Sequence, residues 1–141
     1  MERTQRFRVA YFIVVWTFVV ALLIQVSLIG LWLFSGQPTL SIHMEFGHAI
    51  WLMVLGLVVV AFMGRLPRSV WLRTVLLAGL VTLQTEVFAL IQDSPLRAFH
   101  SVLPLVIFSL AASLAYSATP FVRSRLKVSA LPLGVAESRA N

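Results

Sequence analysis

Three histidines, His43, His48 and His100, are the side chains in this sequence best suited to chemistry. Imidazole binds transition metals and titrates near neutral pH, so histidines serve as metal ligands or as proton carriers. The chain contains no cysteine. This excludes a disulfide framework, a thiolate zinc site, an iron–sulfur cluster and covalently attached c-type heme. The remaining chemistry for paired imidazoles is a non-thiolate metal or cofactor site, or proton handling.

The elements that must position these histidines are strongly apolar. Of the 141 residues, 60% are hydrophobic and only 11% are charged, whereas about a quarter of the residues of an average globular protein are charged. A domain of this size cannot hide so many apolar side chains from water. The composition therefore predicts an integral membrane protein.

Four apolar runs are long enough to cross a bilayer, whose core of about 30 Å requires about 20 helical residues. Short segments rich in Gly, Pro or Asp separate the runs, and short loops force neighbouring helices to be antiparallel. The fold class predicted is thus all-α, an up-down-up-down four-helix bundle, with residues 1–8 and 122–141 as basic flanking segments. The predicted transmembrane domain is 9–121, with spans at about 9–34, 40–63, 70–91 and 96–121.

The positive charges indicate how the bundle is oriented. The net charge is +6, and the Lys and Arg residues cluster beside the N-terminus, the second loop and the C-terminus. With four spans, these clusters share one side, and Arg97 is the basic residue left on the other. The positive-inside rule then places both termini in the cytoplasm, and the charge serves topology, so no nucleic-acid partner is expected. The first run is too long for a cleaved signal and lacks a cleavage site. Tyr11, Trp71 and Tyr116 are expected at the cytoplasmic interface, and Trp32 at the outer one.

Depth along the helices pairs two of the histidines. All three lie in the outer half of the membrane. Counted from Arg65 and Arg123, which mark the inner side, the levels of His43 and His100 differ by about 1.5 Å. His48 lies about 7.5 Å deeper than His43 and about 140° around the helix. His43 and His100 are therefore the natural pair.

A weak internal repeat supports the same pairing. Residues 23–30 align with residues 82–89, and the next histidine follows Gln25 by 18 residues and Gln84 by 16. A duplicated helical hairpin would place one histidine from each copy at a pseudo-twofold site between spans two and four. Diagonal helices of a bundle lie about 12–14 Å apart, a gap that suits a porphyrin. Gln25 and Gln84 are predicted to make polar contacts between helices.

Two imidazoles without a thiolate indicate heme b, with His43 and His100 as its axial ligands. Gly47 lies one turn from His43, where a missing side chain would let a flat macrocycle approach. Arg97 lies one turn from His100 and would pair with a heme propionate. His48 is expected beside the cofactor rather than on the metal.

Other interpretations of these residues remain open. The histidines would serve equally as hydrogen-bonding residues at the interface, and each could ligate a separate chlorophyll magnesium. Zinc or non-heme iron would require a further ligand, such as Glu45 or His48. Glu86 is a candidate for proton handling within the membrane.

Several short motifs resemble a known group of proteins. Gln25-Val-Ser-Leu-Ile-Gly30, His43-x-x-x-Gly47, Leu83-Gln84 and Phe99-His100-Ser-Val resemble an uncharacterised family of small four-helix bacterial membrane proteins. That family is similar to one half of heme A synthase, whose two four-helix halves each hold a heme site between paired histidines. The resemblance covers about residues 10–118 and implies a location in the bacterial inner membrane, with His43 and His100 as the axial pair.

The chain departs from the synthase at two positions. The synthase has a catalytic glutamate three residues before its histidine, where this sequence has Leu40, and the proline after its second histidine is Ser101 here. Oxidation of a heme methyl group is therefore not expected, and the chain is more similar to a half that only holds the cofactor.

Three functional hypotheses follow. The first is a b-type heme protein without enzymatic activity, with one bis-histidine heme near the outer face, that carries electrons or holds heme within a respiratory or photosynthetic complex. The second is an accessory membrane subunit without a cofactor, and the third is a heme-processing enzyme related to the synthase. Besides the lipid bilayer, the expected partner is a larger membrane complex or a second copy of the chain.

Overall fold

The structure is a computed structural model that describes residues 3–90 and 94–122, with the side chains of all these residues except Ala89 and Arg97. Over these ranges the chain is helical and contains no strand. Four of its helices are long and apolar enough to cross a membrane. This confirms the predicted all-α fold with four candidate spans. The main helices are α1 (Arg3–Ser35), α2 (Leu40–Met63), α3 (Arg68–Thr82) and α4 (Phe99–Ala118).

The end of the second hairpin that precedes His100 is less regular than the sequence predicts. α3 continues into a π-helix, Leu83–Val87, and then a short helical turn, Phe88–Leu90. A 3₁₀ turn, Pro95–Ala98, precedes α4, which suits a proline because its missing N–H is not needed in the first turn of a helix. The end of the predicted third span, residue 91, lies outside the described residues.

The helices form a ring in which α1 packs on α2 and α4, and α3 packs on the same two helices. α2 and α4 are therefore diagonal, as the sequence predicts for the histidine-bearing spans. Arg8 Nε donates to Gly64 O at 3.1 Å and Gln5 Nε2 donates to Phe121 O at 3.0 Å. The start of α1, the α2–α3 turn and the segment after α4 thus share one end of the bundle, here named the basic end. The opposite end, with the three histidines, is named the histidine end.

The buried core fills only the part of the bundle nearest the basic end. The last buried residue toward the histidine end is Ala21 in α1, Ile50 in α2, Val81 in α3 and Ile107 in α4. Each lies 13 or 14 residues from the basic end, which at 1.5 Å per residue is about 20 Å. Beyond this level, Phe88 is the one described side chain that is buried. The histidine end therefore lacks the side-chain core that the rest of the bundle has.

Tyr11 differs from its predicted position at the interface. It is fully buried at the centre of the bundle, and its hydroxyl lies 2.7 Å from Thr74 Oγ1. Thr74 Oγ1 donates its single proton to Val70 O at 2.9 Å, so Tyr11 must be the donor in the pair. The expectation was wrong because one turn of helix separates Tyr11 from the clustered arginines, and the residue faces inward. This bond links α1 and α3, which are diagonal.

Candidate functional site at the histidine end

His43 on α2 is fixed to α1 through Gln25. Its Nδ1 lies 3.1 Å from the backbone oxygen of Gln25, which only accepts hydrogen bonds, so Nδ1 carries the proton and Nε2 keeps its lone pair. Gln25 Nε2 donates to His43 O at 2.8 Å and lies 3.4 Å from His43 Nε2. An imidazole held in this tautomer by a backbone carbonyl is the usual arrangement of a metal-ligating histidine.

The second hairpin repeats the contact to the backbone. Gln84 Nε2 donates to His100 O, also at 2.8 Å. Pro104 lies four residues after His100 within α4. Because proline has no N–H, it removes the donor that would normally bond to the His100 carbonyl. The Gln84 amide takes the place of that missing donor, as polar side chains do around prolines in transmembrane helices.

These two bonds agree with the internal alignment made from the sequence. The prediction that Gln25 and Gln84 make polar contacts between helices is confirmed, since each donates from one helix to the histidine of the next. The contribution of Pro104 was missed. Its position, four residues after a histidine in an apolar run, was the available signal.

The imidazole of His100 is placed differently from that of His43. Its ring packs edge-on against Phe88, with the ring centroids 5.9 Å apart and the planes at 76°, and the residue is exposed. Each histidine thus contacts the helical segment that precedes it in the chain: α1 for His43 and the turn after the π-helix for His100.

His48 lies beside Glu86. His48 Nε2 is 3.9 Å from Glu86 Oε1, and the two side chains are 58% and 40% exposed. His48 Nδ1 bonds to Met44 O at 3.0 Å, within α2. The π-helix carries both Gln84 and Glu86, and such wide turns occur frequently at functional sites. The sequence pattern gave no signal for this π-helix.

Gly47 makes room for Gln25. A β-carbon at position 47 would lie 3.1 Å from Gln25 Nε2, closer than the van der Waals contact of ordinary neighbours. Gly47 therefore leaves space for the Gln25 side chain that contacts His43. That it also lets a macrocycle approach His43 stays a prediction. The side chain of Arg97 lies outside the described part of the chain. Its pairing with a heme propionate therefore stays a prediction.

Three polar atoms near the histidines have no hydrogen-bond partner among the described residues. Gln25 Oε1, Gln84 Oε1 and Glu86 Oε1 are shielded from solvent and accept no bond from this part of the chain. Over residues 3–90 and 94–122, no three His, Asp or Glu side chains converge as a metal site would require. A heme needs two protein ligands rather than three or four. The residues present therefore fit a heme better than zinc or non-heme iron: His43 has its Nδ1 proton held, His100 supplies a second imidazole on the diagonal helix, and few described side chains at this end are buried.

Comparison with known proteins finds a family match for part of the chain. Residues 25–90 match a sequence model of a family of unknown function (DUF6220). No curated protein and no solved structure matches the chain. The matched region begins at Gln25 and includes His43, His48 and Glu86, but it ends before His100. The resemblance to a family without known function is thus supported over this region, and nothing in the comparison links it to heme A synthase.

Proposed function

We propose that this chain is a membrane heme-binding protein, in which His43 and His100 hold one b-type heme near the outer face. The observation that carries the proposal is the near absence of buried side chains among the described residues of the histidine end. The core side chains end about 20 Å from the basic end in all four helices, and all three histidines lie beyond that level. A bundle normally fills its interior with side chains, so a stretch without them suits a bound group.

The residues around this space have separate roles in the proposal. Gln25 O accepts the Nδ1 proton of His43. Nε2 therefore keeps the lone pair with which it would bind the heme iron. Gln25 Nε2 now lies 3.4 Å from that atom and would give up this weak contact on binding. Gln84 holds the backbone of His100 across the helix interface, which keeps the second ligand at a matched level.

Heme b with both axial positions filled supplies one-electron transfer and leaves no position for a substrate. The chain is accordingly proposed to carry electrons or to hold heme structurally, and not to act as an enzyme. Since the histidines are confined to one end, electrons would enter and leave near the same face. This requires a partner there, either a larger complex of the inner membrane or a second copy of the chain. The basic end is proposed to face the cytoplasm.

The test is a dithionite-reduced minus oxidised absorption spectrum of protein made with ample heme and purified in mild detergent. We expect sharp b-type bands, and their loss in His43→Ala and His100→Ala. His48→Ala is the matched control, because His48 contacts Glu86 instead, and it should keep the bands. Added imidazole should restore heme to folded His100→Gly protein. A spectrum without b-type bands from folded wild-type protein, or equal heme content in all three alanine variants, would refute the assignment.

A second candidate is an accessory subunit without a cofactor. The observation that favours it is the surface of the histidine end. Large apolar side chains are exposed there, such as Phe34, Met44, Phe99 and Leu105. In this case a partner protein would cover them. The purified chain would then be colourless and would unfold more readily alone than in its complex.

A further inference from the structure

A groove at the basic end has no part in the proposed heme site. Its cavity volume is about 380 Å³, and it is lined by Ala61, Phe62, Arg65, Leu66, Arg68 and Trp71. This volume falls in the range of about 300–1,000 Å³ that is typical of small-molecule sites. The groove lies at the α2–α3 turn, with an apolar wall and two arginines.

The two arginines of the groove differ from other arginines nearby. Arg8 donates to Gly64 O and Arg65 O, and Arg73 donates to Ser113 and Ser117. Neither Arg65 nor Arg68 forms a side-chain hydrogen bond or an ion pair with any residue in the described ranges. Two guanidinium groups are thus available to a ligand at one apolar groove.

Further donors lie at the same place. Trp71 Nε1 is shielded from solvent and has no acceptor in residues 3–90 and 94–122. α3 begins here without a side-chain cap, and Pro67 O accepts the N–H groups of Val70 and Trp71, which leaves those of Arg68 and Ser69 at the open end of the helix. The N-terminus of a helix favours anions, because its N–H groups and its dipole both attract them. Arg65 also has a positive φ of 46°, a backbone conformation uncommon for any residue other than glycine.

We infer that this groove binds the phosphate headgroup of an anionic phospholipid. The two guanidinium groups and the open start of α3 match a phosphate, while the exposed Phe62 ring matches the first part of an acyl chain. A free phosphate ion would use the donors alone and would leave the apolar wall in contact with water. Basic pockets between transmembrane helices bind anionic headgroups in this way.

The experiment uses the full chain in phosphatidylcholine vesicles that contain a small fraction of dibrominated phosphatidylglycerol, a lipid that quenches tryptophan fluorescence on contact. Dibrominated phosphatidylcholine gives the background from random lipid contact. We expect phosphatidylglycerol to associate about 25-fold more strongly than phosphatidylcholine, since each of the two arginines supplies about fivefold. Arg65→Gln/Arg68→Gln should abolish this preference.

Arg3→Gln/Arg6→Gln is the matched control, since it removes the same charge from two exposed residues at the same end, and it should keep the preference. Trp71→Phe should quench equally with both lipids because the reporter in the groove is gone. Equal effects of the two double variants would mean that general surface charge attracts the lipid and would overturn the proposal. Equal quenching by the two brominated lipids would also overturn it, and a change of Trp71 fluorescence on addition of millimolar inorganic phosphate would then indicate a phosphate-ion site. None of these readouts depends on heme.

Discussion

Replacing Gln84 by methionine tests whether this side chain compensates for Pro104. Methionine keeps an unbranched chain of similar length but has no N–H to donate. In the structure, Gln84 Nε2 donates to His100 O at 2.8 Å, and Pro104 cannot supply the backbone donor that this carbonyl would otherwise have. The variant should therefore leave the carbonyl without that donor.

The expected loss of stability depends on how buried Gln84 and the His100 carbonyl are. Leaving a buried acceptor unpaired costs about 1–3 kcal/mol, whereas hydrogen bonds between helices in membranes average about 0.6 kcal/mol and reach about 1.7. Because Gln84 is half-buried and His100 is exposed, we expect Gln84→Met to lower the free energy of unfolding by about 1 kcal/mol, within the range for membrane hydrogen bonds. In a Pro104→Ala background, the restored N–H satisfies His100 O, and the loss should fall below about 0.5 kcal/mol.

Gln25→Met is the matched control. Gln25 donates to His43 O at the same 2.8 Å, but residue 47, four positions later, is glycine and keeps its N–H. The free energy of unfolding lost in Gln25→Met should therefore resemble the loss caused by Gln84→Met in the Pro104→Ala background. The assay is reversible unfolding in mixed micelles, followed by circular dichroism, for all four members of the Gln84–Pro104 cycle. Equal cost of Gln84→Met with proline and with alanine at position 104 would show that the amide does not compensate for the proline.

Two further predictions use the same unfolding assay. Thr74→Val should lower the free energy of unfolding by about 1–2 kcal/mol, because it leaves the buried Tyr11 hydroxyl without its acceptor. The double variant Thr74→Val/Tyr11→Phe should lose no more than Tyr11→Phe alone, about 1 kcal/mol. Additive losses would contradict the assigned hydrogen bond. Gly56→Ala should stabilise by up to about 1 kcal/mol through helix propensity, since nothing lies within 4 Å of the added carbon. Gly47→Ala should gain less, because its β-carbon would displace the Gln25 amide from 3.1 Å; equal gains at the two glycines would show that Gln25 adapts freely.

The sequence predicts the helices well because their cause is local. Hydropathy and turn residues place α2 at its observed bounds, Leu40–Met63, since lipid leaves a span no alternative to internal backbone hydrogen bonding. The positive clusters at the N-terminus and the second loop also lie at the same end, as predicted. Two antiparallel helices, α1 and α2, separate these clusters, so the chain returns to the end at which it began. The third cluster, Arg123, Arg125, Lys127 and Arg139, lies outside the described residues.

The direction of individual side chains was harder to predict. Tyr11 was expected at the interface because tyrosine is common there, yet rotation of α1 turns it into the centre, where Thr74 accepts its proton. The π-helix at Leu83–Val87 changes the direction of Glu86 relative to a regular helix, so the contact with His48 does not follow from a 3.6-residue period. Packing between helices decides both features, and no local pattern in the sequence records it.

The Gln–His bonds give the matched level of the two histidines a structural basis. Gln25 lies 17 residues beyond Arg8, and Gln84 lies 16 residues beyond Arg68, so their heights above the basic end differ by about 1.5 Å. Each glutamine bonds to the carbonyl of one histidine at 2.8 Å, which carries this equality across to α2 and α4. The first hairpin achieves the bond with glycine four residues after the histidine, and the second with proline and a π-helix. Different local structures thus produce the same contact on two diagonal helices. The internal repeat accounts for this coincidence, and the proposed heme, held from both sides at one level, would require it.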